Sequence, residues 1–113
     1  MATPDDALTG SWLSVRTGVE PRTIEAMRRA GELIAVRPEG AYEHYYPLWQ
    51  FDEHWQPLPA VKRVTAAARE RGLDETRLYE VLNARVGLGG DERVGASLRR
   101  DNGERVLSAI RSA

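Results

Sequence analysis

Residues 9–51 read TGSWLSVRTGVEPRTIEAMRRAGELIAVRPEGAYEHYYPLWQF, and the order of residue types in this stretch decides the fold. Its centre is Gly18-Val19-Glu20-Pro21. Gly18 suits the left-handed conformation that ends a helix. Val19 is a lone apolar residue placed to fill the angle between two helices. Glu20 puts negative charge at a helix N-terminus, where the dipole favours it. Pro21 takes the first helical position, where a missing N–H costs nothing. The sequence therefore predicts a first helix over residues 10–17 and a second over 21–30, stopping at Gly31.

At about 100° per residue, Ile24, Met27 and Gly31 share one face of the second helix, taken as buried. Arg22, Glu25, Ala26 and Arg29 lie roughly opposite, with Thr23 and Arg28 at the boundary. An apolar stripe with arginines pointing away suits a helix that enters a major groove. It equally describes an amphipathic surface helix. The hairpin pattern that follows tips the balance. Residues 33–37 are mostly apolar and partly β-branched, and 41–46 form a tyrosine-rich returning strand. Between them, Pro38 in the second turn position and Gly40 in the fourth fit a type I turn with a glycine bulge. A recognition-type helix, one glycine and a short hairpin is winged-helix order. Arg37, near the wing tip, is then the expected contact to backbone phosphate or minor groove.

On the N-terminal side, Thr9 is the expected cap of the first helix, and Trp12 is expected to pack inward against Ile24 or Met27. Residues 1–8 read as a frayed tail. Beyond the wing, Pro47 ends the strand, and Trp49 and Phe51 are expected to fold back over the helices. Residues 52–59 form a connector stiffened by Pro57 and Pro59. His44, Asp52, Glu53 and His54 match no metal-ligand spacing, and no nucleophile accompanies them for acid–base catalysis.

From Leu58 onward the pattern is helical. Helices are expected over residues 58–71, 75–85, 92–100 and 104–111, with Asp74 and Asp91 as caps. The glycines of residues 87–90 lack the Lys-Ser/Thr of a phosphate loop. These helices carry few large side chains, so the region should lean on the winged helix, a second copy or another protein.

Composition narrows the class. The 113 residues include no cysteine, which removes disulfides and thiolate metal sites and fits a reducing compartment. No apolar run is long enough for a membrane span, and the N-terminus lacks signal-peptide features. The net charge of −1 divides into −2 over residues 1–51 and +1 over 52–113. Nucleic-acid binding would therefore rest on a local patch rather than on overall charge.

The run GVEPRTIEAMRRAGELIAVR, followed by a hairpin ending in YPLWQF, resembles the MerR- and excisionase-type winged helix-turn-helix. The run LGGDERVGASLRRDNGERVLSAI is similar to the helical C-terminal region of small actinobacterial DNA-binding proteins. It also resembles the toxin-binding segment of Xre/ParS-type antitoxins. The resemblance spans roughly residues 8–112. It implies a mainly α protein with a small β-hairpin: a winged helix-turn-helix at 8–51, and a short C-terminal helical bundle at 58–112 for dimerisation or partner binding. The expected function is sequence-specific binding of double-stranded DNA by a non-catalytic transcriptional regulator. It would be cytoplasmic and nucleoid-associated, homodimeric, and without cofactor, metal or membrane contact. Arg22 and Arg29 are the expected base-edge contacts, and Thr23 and Arg28 the phosphate contacts. Glu25 is placed to accept from a cytosine amino group, with Ala26 beside it on the reading face and Arg37 on the wing. The alternative is an antitoxin-like module whose C-terminal helices hold a partner toxin.

Overall fold

The computed structural model describes residues 7–83, 85–86, 92–93, 98 and 103–112. The protein is mainly α-helical with a small antiparallel hairpin. Strand β1 (Ala7–Thr9) leads into helix α1 (Gly10–Thr17), and helix α2 (Pro21–Arg29) follows after a short turn. The Thr9 hydroxyl accepts from Trp12 N at 3.2 Å, and Gly18 closes α1 in the left-handed region with φ 75°. Strand β2 (Tyr45–Pro47) and a single 3-10 turn (Leu48–Gln50) complete the winged part. Then come helix α3 (Ala60–Glu70), helix α4 (Glu75–Asn83), strands β3 (Arg85–Val86) and β4 (Glu92–Arg93), and helix α5 (Glu104–Arg111).

Several expectations need correction. Ala7 and Leu8 are not a frayed end: β1 pairs antiparallel with β2, Leu8 opposite Tyr46 and Thr9 opposite Tyr45. The expected hairpin of residues 33–37 with 42–46 shrinks to one bridge, in which Val36 and Tyr45 exchange both N–H···O bonds at 3.0 and 2.7 Å. A side chain explains the loss. Gln50 donates from Nε2 to Ile34 O and accepts at Oε1 from Ile34 N, each at 2.7 Å, and Nε2 also donates to Pro47 O at 3.0 Å. Ile34 thus has its backbone bonds satisfied by an amide side chain. The wing turn is also shifted by one residue: Ala41 N donates to Pro38 O at 2.9 Å, with Gly40 in the third position at φ 84°.

Trp12 does not pack inward; it is 65% exposed, and Val15 beside it is 76% exposed. The inner face of α1 is Gly10, Leu13, Ser14 and Thr17, of which Leu13 is fully buried. The hydroxyls on this face bond into the turn. Ser14 Oγ donates to Val19 O at 2.6 Å, and Thr17 Oγ1 accepts from Val19 N at 3.2 Å. In the C-terminal half, Arg85 belongs to a strand rather than to a helix of residues 75–85. Glu92 and Arg93 pair with Val86 and Arg85 instead of opening a helix of 92–100. Valine favours a strand, and the glycines of 87–90 disfavour a continuous helix. The remainder of that expected helix and the Asp91 cap lie outside the described residues. Asp74 does cap α4, its Oδ1 accepting from Arg77 N at 2.8 Å.

Among the described residues, two hydrophobic clusters form. Leu13, Ile24, Leu33, Ala35, Tyr46 and Phe51 make the winged-helix core. Ile34 joins Val61, Val64, Leu78, Leu82, Leu98, Val106 and Ile110 in the second, with Trp49 packed against it. The C-terminal helices therefore lean on the winged helix of their own chain. Gln50→Leu keeps the volume but leaves the N–H and C=O of Ile34 without partners. Each orphaned buried group costs about 1–3 kcal/mol. A urea titration should show a stability loss of about 3 kcal/mol; an unchanged midpoint would show that the amide does not hold Ile34.

Candidate nucleic-acid interface

Helix α2 presents the candidate reading face. Pro21 starts it, and Glu20 stands at the cap without a side-chain hydrogen bond. Ile24 is buried and Met27 half-buried, while Arg22, Thr23, Glu25, Ala26 and Arg29 are exposed. The helix is thus amphipathic in the sense its sequence predicts, with three arginines of unlike surroundings. Arg22 has no ion-pair partner among the described residues. Arg29 is 72% exposed in its side chain and meets Glu25 Oε1 at 3.0 Å. Exposed helix pairs of this kind contribute roughly 0.3–0.5 kcal/mol, so Arg29 is readily drawn to another acceptor.

Arg28 differs. Its side chain is only 12% exposed, and its Nη1 reaches both Glu75 oxygens at 3.0 Å, with Glu25 at 3.3 Å from Nη2. Burial works against the charge of this guanidinium, but the hydrogen bond and attraction of Glu75, helped by Tyr46 and Glu25, more than offset it and raise its pKa. Arg28 therefore ties α2 to the start of α4 and is not presented to solvent as a phosphate contact requires.

The C-terminal end of α2 is held from α3. Arg69 Nη2 donates to Arg29 O at 2.8 Å, and Thr65 Oγ1 donates to Gly31 O at 2.6 Å. A cation and a hydroxyl thereby satisfy carbonyls that a helix end leaves open. Gly31 is required here twice over. Its φ is 80°, and an added Cβ would lie 3.0 Å from Thr65 Oγ1 and 3.1 Å from Arg69 Nη1.

The wing side is organised by Glu43 and His44. Glu43 Oε1 accepts from Ser11 N at 2.9 Å and from its hydroxyl at 2.6 Å, fixing the wing to the start of α1. His44 Nε2 lies 3.5 Å from Glu75 Oε1. Arg37 is exposed and has no ion-pair partner among the described residues. Behind the helix-turn-helix, the Arg16 guanidinium sits 5.4 Å over the ring of Trp55, whose backbone is left-handed with φ 61°. His54 is exposed, its ring 3.8 Å from Glu53, whereas His44 pairs with Glu75, so the two histidines belong to different parts of the surface.

With this geometry in place, one solved structure is informative. The fold resembles the NMR structure of Rv2175c. The two superpose with a TM-score of 0.78 at 17% sequence identity, over 99% of this chain and 84% of that one. No protein-family model and no curated protein sequence matches the chain. The likeness therefore establishes the architecture, and the roles of individual residues rest on their geometry. Glu75, Thr65 and Arg69 are the site residues that sequence reasoning missed. Their contacts to Arg28, Gly31 and Arg29 span 47, 34 and 40 positions, and no local pattern announces them.

Burial, followed by the repulsion of Arg28, pushes the His44 pKa below its ordinary 6.5, with Glu75 opposing and Arg37 adding to the fall. The folded state therefore favours neutral His44, and the unfolded chain binds the proton first on acidification. Stability should decline as pH drops from about 6.5 towards the lower folded value. Denaturation across that window should show a shallower decline for His44→Gln than for wild type; parallel profiles would remove the coupling.

Proposed function

We propose that this chain is a sequence-specific double-stranded DNA-binding protein, a transcriptional regulator without catalytic activity. Helix α2 enters the major groove and the wing follows the backbone. The observation that carries this reading is the state of α2. One side is packed into the core, the C-terminal end is anchored by α3 and α4, and the remaining face offers Arg22, Thr23, Ala26 and Arg29 to solvent. Arg22 and Arg29 are the proposed base contacts, Thr23 a phosphate contact, and Arg37 the wing contact. Arg28 is assigned a positioning role through Glu75 instead of a phosphate. Glu25 shields Arg29 in the free protein and is proposed to accept from a cytosine amino group in the complex.

A reading head of this size covers few base pairs, so two copies on neighbouring half-sites are proposed. Among the described residues no helix is long and apolar enough to cross a membrane, and action at the nucleoid in the cytoplasm is the matching proposal. The alternative, a partner toxin held by the C-terminal helices, has less to rest on. The large apolar side chains described there are buried in the chain's own core, and the exposed ones (Trp12, Val15, Tyr42 and Leu48) lie elsewhere.

Selection from a random duplex library, followed by anisotropy titration at several salt concentrations, tests the reading. A bidentate arginine–guanine pair contributes roughly 1–3 kcal/mol of discrimination. Arg29→Ala should weaken the selected duplex about ten- to a hundredfold and relax one base position. Arg37→Ala should weaken all duplexes alike and reduce the log–log salt slope by about one unit. The reading fails if the Arg22→Ala/Arg29→Ala double variant binds the selected duplex as tightly as wild type.

A further inference from the structure

We propose that the cleft between the C-terminal end of α2 and the α3–α4 junction is a binding site for a small organic anion with an apolar body, such as an aromatic carboxylate. The cleft has a volume of about 370 Å³, within the roughly 300–1,000 Å³ of ligand pockets. Its apolar wall includes Leu33, Leu73 and Leu78, and its polar wall includes Arg28, Arg29 and Arg69. A flat hydrocarbon body fits the first wall and a carboxylate the second.

Charge selects the sign of the ligand. Two acids also line the cleft, Asp74 and Glu75. Both are engaged: Asp74 Oδ1 accepts from Arg77 N, and both Glu75 oxygens accept from Arg28 Nη1. Glu25 beside the cleft takes one bond each from Arg28 and Arg29 through the same oxygen, so three guanidiniums share three carboxylates and keep more N–H donors than those carboxylates engage. Arg28 Nε is buried and has no hydrogen-bond partner among the described residues, so this guanidinium is under-satisfied as it stands. An unpaired buried donor is unfavourable, and the penalty is larger for a charged group. Arg28 Nε itself is closed off from the cleft, and a ligand carboxylate supplies its acceptor to the accessible N–H groups of Arg29 and Arg69. Arg69, which donates to Arg29 O from Nη2, has further N–H groups to offer the same anion.

The site touches the groups that fix α2. Arg28 anchors that helix to Glu75, and Arg69 caps its last carbonyl, that of Arg29. An occupant competes for both arginines and so bears on the orientation of the proposed reading helix. That consequence rests on the DNA-binding reading; the site itself does not, and its test contains no DNA.

The test is an amide chemical-shift titration of the intact chain with benzoate, acetate, benzylamine and benzyl alcohol. Benzoate should saturate and should shift amides in residues 33–35, 68–69 and 73–75. Acetate lacks the apolar body, benzylamine carries the opposite charge, and benzyl alcohol is neutral; each should bind at least tenfold more weakly. Arg69→Gln should weaken benzoate at least fivefold. Arg29→Gln, at an exposed position where refolding is not at issue, should weaken it in the same direction. Shifts that do not saturate, shifts centred elsewhere, or benzylamine binding as tightly as benzoate would overturn the site. Unaltered benzoate binding by both arginine variants would do so as well.

Discussion

Residues 33–35 are the constraint on which the rest of the structure depends. The segment is buried, and its successive side chains enter different cores. Leu33 and Ala35 enter the winged-helix core, and Ile34 between them enters the core of α3, α4 and α5. A segment buried on both faces must have its backbone bonds made, since an unpaired peptide group away from water is costly. Gln50 does this for Ile34 with two bonds of 2.7 Å, and the bridge to Tyr45 does it for Val36. The seam therefore makes the two halves mutually dependent. Neither core is complete without this strip of chain, and the strip cannot be buried without the 3-10 turn that carries Gln50.

The seam begins where α2 ends, so α2 inherits its rigidity. Thr65 and Arg69 hold the carbonyls at its C-terminal end, and Arg28 reaches Glu75 from its last turn. Three contacts from α3 and α4 thus set the direction in which Arg22 and Arg29 point. A side chain that reads a base edge must be held within a fraction of an ångström, and supporting contacts supply that precision. In the proposed reading the C-terminal helices are the mount of the reading helix, and the cleft beside Arg28 and Arg69 lies within the mount.

Much of the helical layout was legible in the sequence, because caps and breaks are local chemistry. Thr9, Gly18, Pro21 and Asp74 bound α1, α2 and α4 as their residue types imply. The wing was less so. Residues 33–37 look like a strand, yet their partner is a glutamine side chain 16 positions away from Ile34, and no period encodes that. Trp12 was misread for a physical reason. Size and hydrophobicity suggest burial, but α1 turns Leu13 inward and leaves Trp12 about 100° away. Its inner face is small and hydroxyl-bearing, which lets Ser14 and Thr17 bond to the turn. The exposed face of α2 followed directly from its period. The fate of Arg28 did not, because Glu75 lies 47 positions away.

The most direct test of the central claim, that α4 aims a DNA-reading α2 through Arg28, is the affinity of Glu75→Ala for the duplex selected by wild type. Removing an acid near a polyanion by itself strengthens binding. Loss of the Arg28 anchor acts the other way. The account predicts about tenfold weaker binding of the selected duplex, equivalent to roughly 1.4 kcal/mol, with affinity for unrelated duplexes unchanged or raised. Binding of the selected duplex as tight as wild type, or tighter, would contradict it.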